Sequence, residues 1–246
     1  MNEVDLLFIS AHPDDTELSC GGTIIKSVKR GLKAGMIDLT RGEMGTRGTP
    51  QIRKREAQNA AKILGASFRE QLDFQDGGLL TGRDQELELI EIIRATRPRL
   101  IFTSFPDDRH PDHTRAGKLV TESAFYAGLK SLTTKHAAHR PQAILYYMQN
   151  YLQRLSFVID VSDSWKTKMR AIAAFKSQFH DPKSKEPQTF IPVHRYLLIE
   201  QGVHIGEFHF LEDLARDGVY EFCYVCLTNK IRGTTAGFTL RPIAIR

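Results

Sequence analysis

Two short stretches hold residues whose types and spacing suit metal-assisted hydrolysis: Ser10-Ala11-His12-Pro13-Asp14-Asp15-Thr16-Glu17 and Arg109-His110-Pro111-Asp112-His113. An imidazole nitrogen from His12 and a carboxylate oxygen from Asp15 are donors that suit a divalent ion such as zinc. Pro13 stiffens the backbone between them, and Asp14 is left free to take a proton from an attacking water. The second stretch offers a third ligand, and three protein ligands with an open position mark a catalytic rather than a structural zinc site. A plainer explanation is that His-Pro-Asp turns are loop punctuation, with Asp capping the following helix. One such turn alone favours that explanation; two, each after an apolar run, reverse it.

The elements that must position these residues can be read from the hydrophobic pattern. Val4-Asp5-Leu6-Leu7-Phe8-Ile9 precedes the first stretch and reads as a buried strand, and residues 18–30 after it read as a helix. Residues 100–105 form a second strand-like run ahead of His110, with a helix expected over 114–129. Both stretches therefore sit where a strand ends and a helix begins, the place where open α/β sheets bind ligands. Between them lie strands over 34–40 and 68–74, helices over 51–64 and 86–96, and a glycine-rich loop, 41–50. Asp76-Gly77-Gly78 reads equally well as a tight turn or as a substrate loop. Further on, strands are expected at 143–148 and 157–161, then one helix from 162 to 179 with Trp165, Met169, Ile172 and Phe175 as a core stripe. This alternation predicts a single-domain α/β fold, Rossmann-like, with a mostly parallel sheet, right-handed crossovers and helices on both faces.

Composition narrows the function classes. The chain has 246 residues, 41% of them hydrophobic and 26% charged, which fits one globular domain spanning 1–246 rather than a disordered chain. A net charge of +5 from scattered basic residues, without a nucleic-acid motif, points away from nucleic acid and toward a small anionic substrate. Arg47, Arg53 and Arg109 fall in or near the loops flanking the proposed site. No secretory signal and no membrane-length apolar run are present, so a cytoplasmic enzyme is expected. Gly21-Gly22 lacks the GxGxxG pattern of dinucleotide binding, and carboxylates fill the turn where a pyrophosphate would sit. Glu17 reads as a helix-start residue favoured by the macrodipole. Cys223 and Cys226 have CxxC spacing but no second pair, and read as small apolar fillers. Residues 191–202 suggest a helix, with His194 or Tyr196 at the cleft mouth, and 220–225 a strand.

The pattern AHPDD-x-E-x-x-x-GG from Ala11, with HPDH at 110–113, resembles the LmbE/PIG-L family of zinc-dependent N-acetylglucosaminyl deacetylases. Within that family, TRGEMGTRGT, IRKREAQNAAKILG and FQDGGL look most like the bacillithiol-pathway branch, which acts on N-acetylglucosaminyl-malate. The resemblance is dense to residue 125 and thin beyond, where the family's Tyr-Ala-Glu segment has no counterpart. It implies that His12, Asp15 and His113 bind Zn²⁺ (Fe²⁺ tolerates the same ligands), with Asp14 as general base. It further implies His110 as the acid that protonates the leaving amine, with Asp112 as its partner. Arg53 and Arg109 would hold the substrate, a small glycoside, and a homo-oligomer, trimer or hexamer, is implied too. Rival readings are a deacetylase for an inositol conjugate or chitooligosaccharide, and a non-catalytic carbohydrate- or metal-binding protein on the same fold.

Overall fold

Leu6–Ser10 (β1) sends Leu6 and Phe8 to one side and Leu7 and Ile9 to the other, and all four are buried, as a strand covered on both faces requires. The computed structural model describes residues 2–151, 153–154 and 156–179, and beyond them the backbone of two short strands. After β1 come α1 (Asp15–Lys29), β2 (Ala34–Thr40), α2 (Pro50–Leu64), β3 (Phe68–Phe74), α3 (Arg83–Thr96), β4 (Leu100–Ser104), α4 (Pro111–Ala127) and β5 (Ala143–Tyr147). A 3₁₀ turn (Ser162–Ser164), α5 (Trp165–Ile172) and α6 (Lys176–Phe179) follow. The five strands pair in the order β3-β2-β1-β4-β5, every pair parallel. Helices α1, α2 and α5 pack on the Leu6/Phe8 face, and α3 and α4 on the Leu7/Ile9 face.

The expected α/β architecture is present, and β2 and β3 have the expected limits. The helices after the two His-Pro-Asp turns begin earlier than expected. Asp15 is in the first turn of α1, and Pro111 opens α4 as a proline fits the first helical position. His110 is thereby the cap of α4, its Nδ1 accepting the Asp112 backbone N–H at 3.2 Å.

Two expectations are corrected. Residues 157–161 form no strand: they run as a strap across the outside of α1, where Lys26 donates to the Asp160 carbonyl and Gly22 leaves room for Val161. A Cβ at position 22 would lie 2.6 Å from that valine, so the glycine admits the strap rather than the sheet. Phe157, Val158 and Ile159 are exposed, because no sheet edge is there to satisfy their β-propensity. The helix expected over 162–179 breaks at residues 173–175 into α5 and α6; Ile172 and Phe175 are core, but Trp165 is exposed with the Lys168 ammonium over its ring. Glu17 is in the first turn of α1 as expected, and it has a further task. It is fully buried and paired with Arg69 of β3.

That pair belongs to a buried triad. Arg69 makes two 2.7 Å bonds to the Asp38 carboxylate of β2, contacts Glu17 of α1, and donates to the Ala57 carbonyl of α2 at 3.1 Å. One guanidinium fork thus ties together the edge strand, its neighbour and two helices, with a geometry lysine could not supply.

By its contacts the chain divides into residues 1–183 and 184–246. In the second unit, among the described residues, β6 (Cys223–Val225) pairs antiparallel with β7 (Ile243–Ile245). The strand expected over 220–225 is present in its last three residues. The helix expected over 191–202, His194, Tyr196, and the side chains of Cys223 and Cys226 lie outside the described residues. Among the described residues no helix is long and apolar enough to cross a membrane. Substituting Arg69→Met leaves two buried carboxylates without their cation, and urea unfolding should show a loss of about 3–5 kcal/mol.

Candidate metal centre

Because β1 and β4 are neighbours from which the sheet is built outward in opposite directions, their carboxyl ends flank a crevice. Into it β1 delivers His12, Asp14 and Asp15, and β4 delivers His110, Asp112 and His113. The ring centres of His12 and His113 are 5.4 Å apart, and His110 is 4.8 Å from each. Asp15 lies between the first two, with Oδ2 3.4 Å from His12 Nδ1 and Oδ1 3.3 Å from His113 Nε2. Donors around a tetrahedral ion bonded at about 2.0–2.2 Å lie about 3.3–3.6 Å apart, which each of these two contacts matches, through different oxygens of the Asp15 carboxylate. Among the described residues, three donors that all lie within 4.8 Å of one another occur in two groupings, His12 with His110 and His113, and His12 with Asp76 and Asp112.

The nitrogens facing away from Asp15 decide the tautomers. His113 Nδ1 is 2.9 Å from Asp108 Oδ1, which also takes the Asn150 Nδ2 donor at 2.8 Å. His12 Nε2 is 3.1 Å from Asp76 Oδ1 and 3.5 Å from Asp112 Oδ2, near both oxygens but aligned with neither. Each imidazole therefore has one nitrogen toward Asp15 and a second carboxylate near the other, and an ion beside Asp15 would take the place of the protons between them. Asp15 is itself held, by the His12 backbone N–H at 2.9 Å and by Gln149 Nε2 at 2.7 Å. Ser104 Oγ donates to Gln149 Oε1 at 3.3 Å, which ties this amide to the end of β4.

Charge is dense here. Burial would lower the His12 pKa, but Asp112, Asp15 and Asp76 together raise it to about 12. Burial opposes ionisation of Asp15 as well, yet His113 and His12 hold its pKa well below the usual carboxylate range. Asp14 is pushed up to about 8, first by burial and then by the Asp15 charge, with Arg53 opposing. His110 is lowered, by burial and then by His12 and His113.

The expected site residues converge, with differences in their partners. The Asp112 carboxylate does not reach the His110 ring as expected; it accepts the Gly77 N–H at 2.6 Å and faces His12 and Arg115. Arg53 was expected to face substrate but is 5% exposed. Its guanidinium donates to the Gly42 carbonyl at 2.9 Å, the Pro13 carbonyl at 2.6 Å and Asp14 Oδ2 at 3.3 Å. The glycine-rich loop wraps around it: Gly42 has φ +64, and a Cβ there would lie 2.0 Å from Arg53 Nη1. Arg109 is exposed and makes no ion pair or hydrogen bond among the described residues. Sequence reasoning missed Asp76, Asp108 and Gln149. Asp76 stood in a turn whose substrate reading was one of two open options, and Asp108 stood in an acidic run just ahead of His110; Gln149 carried no signal.

These findings match known proteins. A family model described as GlcNAc-PI de-N-acetylase (PIG-L) matches residues 7–124. Diacetylchitobiose deacetylase of Thermococcus kodakarensis is 32% identical over 71% of this chain and 70% of its own length. The chain belongs to the PIG-L/LmbE family of deacetylases. A probable N-acetyl-alpha-D-glucosaminyl L-malate deacetylase 2 of Bacillus cereus is 29% identical over 72% of this chain and 84% of its own. Among solved structures, a conserved protein of Thermus thermophilus is 39% identical with a TM-score of 0.70, over 81% of this chain and 90% of its own.

Asp14 has φ 105, a left-handed conformation that costs a non-glycine residue about 1–3 kcal/mol and collects at functional sites. Asp14→Ala keeps that strain, whereas Asp14→Gly relieves it. In urea unfolding of metal-free protein the glycine variant should be the more stable of the two by about 1 kcal/mol or more.

Proposed function

We propose that the chain is a zinc-dependent hydrolase that removes the acetyl group from an N-acetylglucosaminyl conjugate, with N-acetylglucosaminyl-malate of bacillithiol biosynthesis as the substrate. The observation that carries the hydrolytic part is the spare carboxylate: Asp14 lies beside the His12–Asp15–His113 donor set without belonging to it, and a storage site needs no such group. In this reading His12, Asp15 and His113 hold the ion. Bound zinc would supply Lewis acidity, polarising the acetyl carbonyl and easing deprotonation of water.

The remaining work falls to side chains. Asp14 accepts the proton of the attacking water, and its raised pKa makes it a stronger base than an ordinary aspartate. His110 accepts the Asp112 backbone N–H at Nδ1, so the neutral ring carries its proton on Nε2. That N–H is the hydrogen-bond donor available to the oxyanion, and the proton the departing amine needs is the one Asp14 has taken from the water. Arg53 acts through Asp14, fixing its carboxylate and the Pro13 carbonyl. Arg109, exposed beside His110, is the guanidinium available to a malate carboxylate.

The malate conjugate is favoured by TRGEMGTRGT and FQDGGL and by the Bacillus cereus relative. A chitooligosaccharide substrate is the second reading, favoured by the Thermococcus relative. Purified zinc-loaded protein should release free amine and acetate, with the highest kcat/KM on the malate conjugate among malate, inositol and chitobiose conjugates. No acetate from any of the three overturns the hydrolytic reading, and a preference for chitobiose overturns the malate assignment. Asp14→Ala should retain zinc while losing about 10²–10⁴-fold in kcat. Because Asp14 must be ionised to accept a proton and a nearby cation lowers its pKa, kcat/KM should fall on an acid limb below the metal-free value of about 8.

A further inference from the structure

Asp76 stands outside both His-Pro-Asp turns, on the loop after β3, yet it is buried against the candidate metal centre. Its two oxygens have different tasks. Oδ2 accepts the Met44 backbone N–H at 2.9 Å, from the glycine-rich loop that follows β2. Oδ1 lies 3.1 Å from His12 Nε2. The other carboxylate near that nitrogen, Asp112, is more distant at 3.5 Å, and its oxygens already serve the Gly77 N–H and Arg115. Asp76 is fixed in turn by its own backbone N–H, which donates to Glu43 Oε1 at 2.9 Å. The loops after β2 and β3 are thus stitched together by two carboxylates, and the remaining oxygen of Asp76 faces the ring of His12.

We propose that Asp76 is a positioning residue for metal binding: its Oδ1 charge, 3.1 Å from Nε2, keeps the His12 proton on that nitrogen, so that Nδ1 presents its lone pair to the ion beside Asp15. This rests on the zinc reading above, and it adds a residue that acts through the His12 ring. A buried ring N–H left unpaired costs about 1–3 kcal/mol, and Asp76 Oδ1 is the nearest acceptor. The carboxylate does more than an amide in its place, since its negative charge also makes the imidazole a stronger donor to a cation.

The test is zinc affinity, measured by competition with a chromophoric chelator on the full chain. Asp76→Asn keeps the shape and removes the charge; it should bind zinc about 10–100-fold more weakly, while the metal-free protein melts at the wild-type temperature. In the cobalt-substituted protein the visible absorption bands should shift, which a purely structural contribution elsewhere would not cause. Asp76→Glu, which keeps the charge, should recover part of the affinity. Asp73→Asn, which breaks only the surface pair with Arg41, should leave affinity unchanged. Wild-type affinity in Asp76→Asn overturns the inference, as does a loss matched by an equal fall in metal-free stability. Should Asp76→Asn fail to fold, Asp76→Glu decides: affinity and cobalt spectrum both at the His12→Ala level overturn the inference, and intermediate values support it. If the wild-type protein itself binds no zinc, the metal reading fails, a result distinct from either.

Discussion

Three buried carboxylates, those of Asp15, Asp76 and Asp112, converge on the one imidazole of His12. In a crevice shielded from water such a concentration of negative charge is sustained only with compensating positive charge. The architecture of the crevice follows from that requirement. Each acid is also fixed by backbone N–H donors: Asp15 by His12, Asp76 by Met44, Asp112 by Gly77. These bonds hold the oxygens facing inward whether or not a cation is there, and a preorganised cage is what makes a metal site selective in geometry.

The sheet supplies the rest of the rigidity. Parallel neighbours β1 and β4 bring His12 and His113 together although a hundred residues separate them in sequence. The Arg69 triad locks β2, β3 and α1 behind the site, so the strand ends carrying Asp15, the glycine-rich loop and Asp76 share one buried anchor. Arg53 plays the same part in front, clamping the loop to the His-Pro-Asp-Asp turn. Two buried arginines therefore divide the work of positioning, each by several hydrogen bonds from one planar fork.

Much of this was legible in the sequence. The limits of β2 and β3 could be read from the residue pattern, and two His-Pro-Asp turns after strands marked the crevice. What the sequence concealed were long-range pairings, which have no local signature. Glu17 looked like a helix-start acid because position in a helix is visible and a partner in β3 is not. Arg53 was expected to hold the substrate, because nothing local to it shows that glycines of the loop after β2 leave room for its guanidinium. The 157–161 run had the composition of a strand but lies against α1 and pairs with none of the described strands. Asp112 followed His110 so closely that a partnership was natural to expect, yet helix geometry turns its carboxylate toward His12.

The contact between Asp76 and the glycine-rich loop uses the backbone amide of residue 44, while the Met44 side chain is 70% exposed at the rim. The amide is common to every amino acid except proline, so the identity of the side chain at this position is decoupled from the support of His12. Evolution, or an engineer, has there an exposed position whose side chain can be rewritten, with proline the one residue the hydrogen bond forbids.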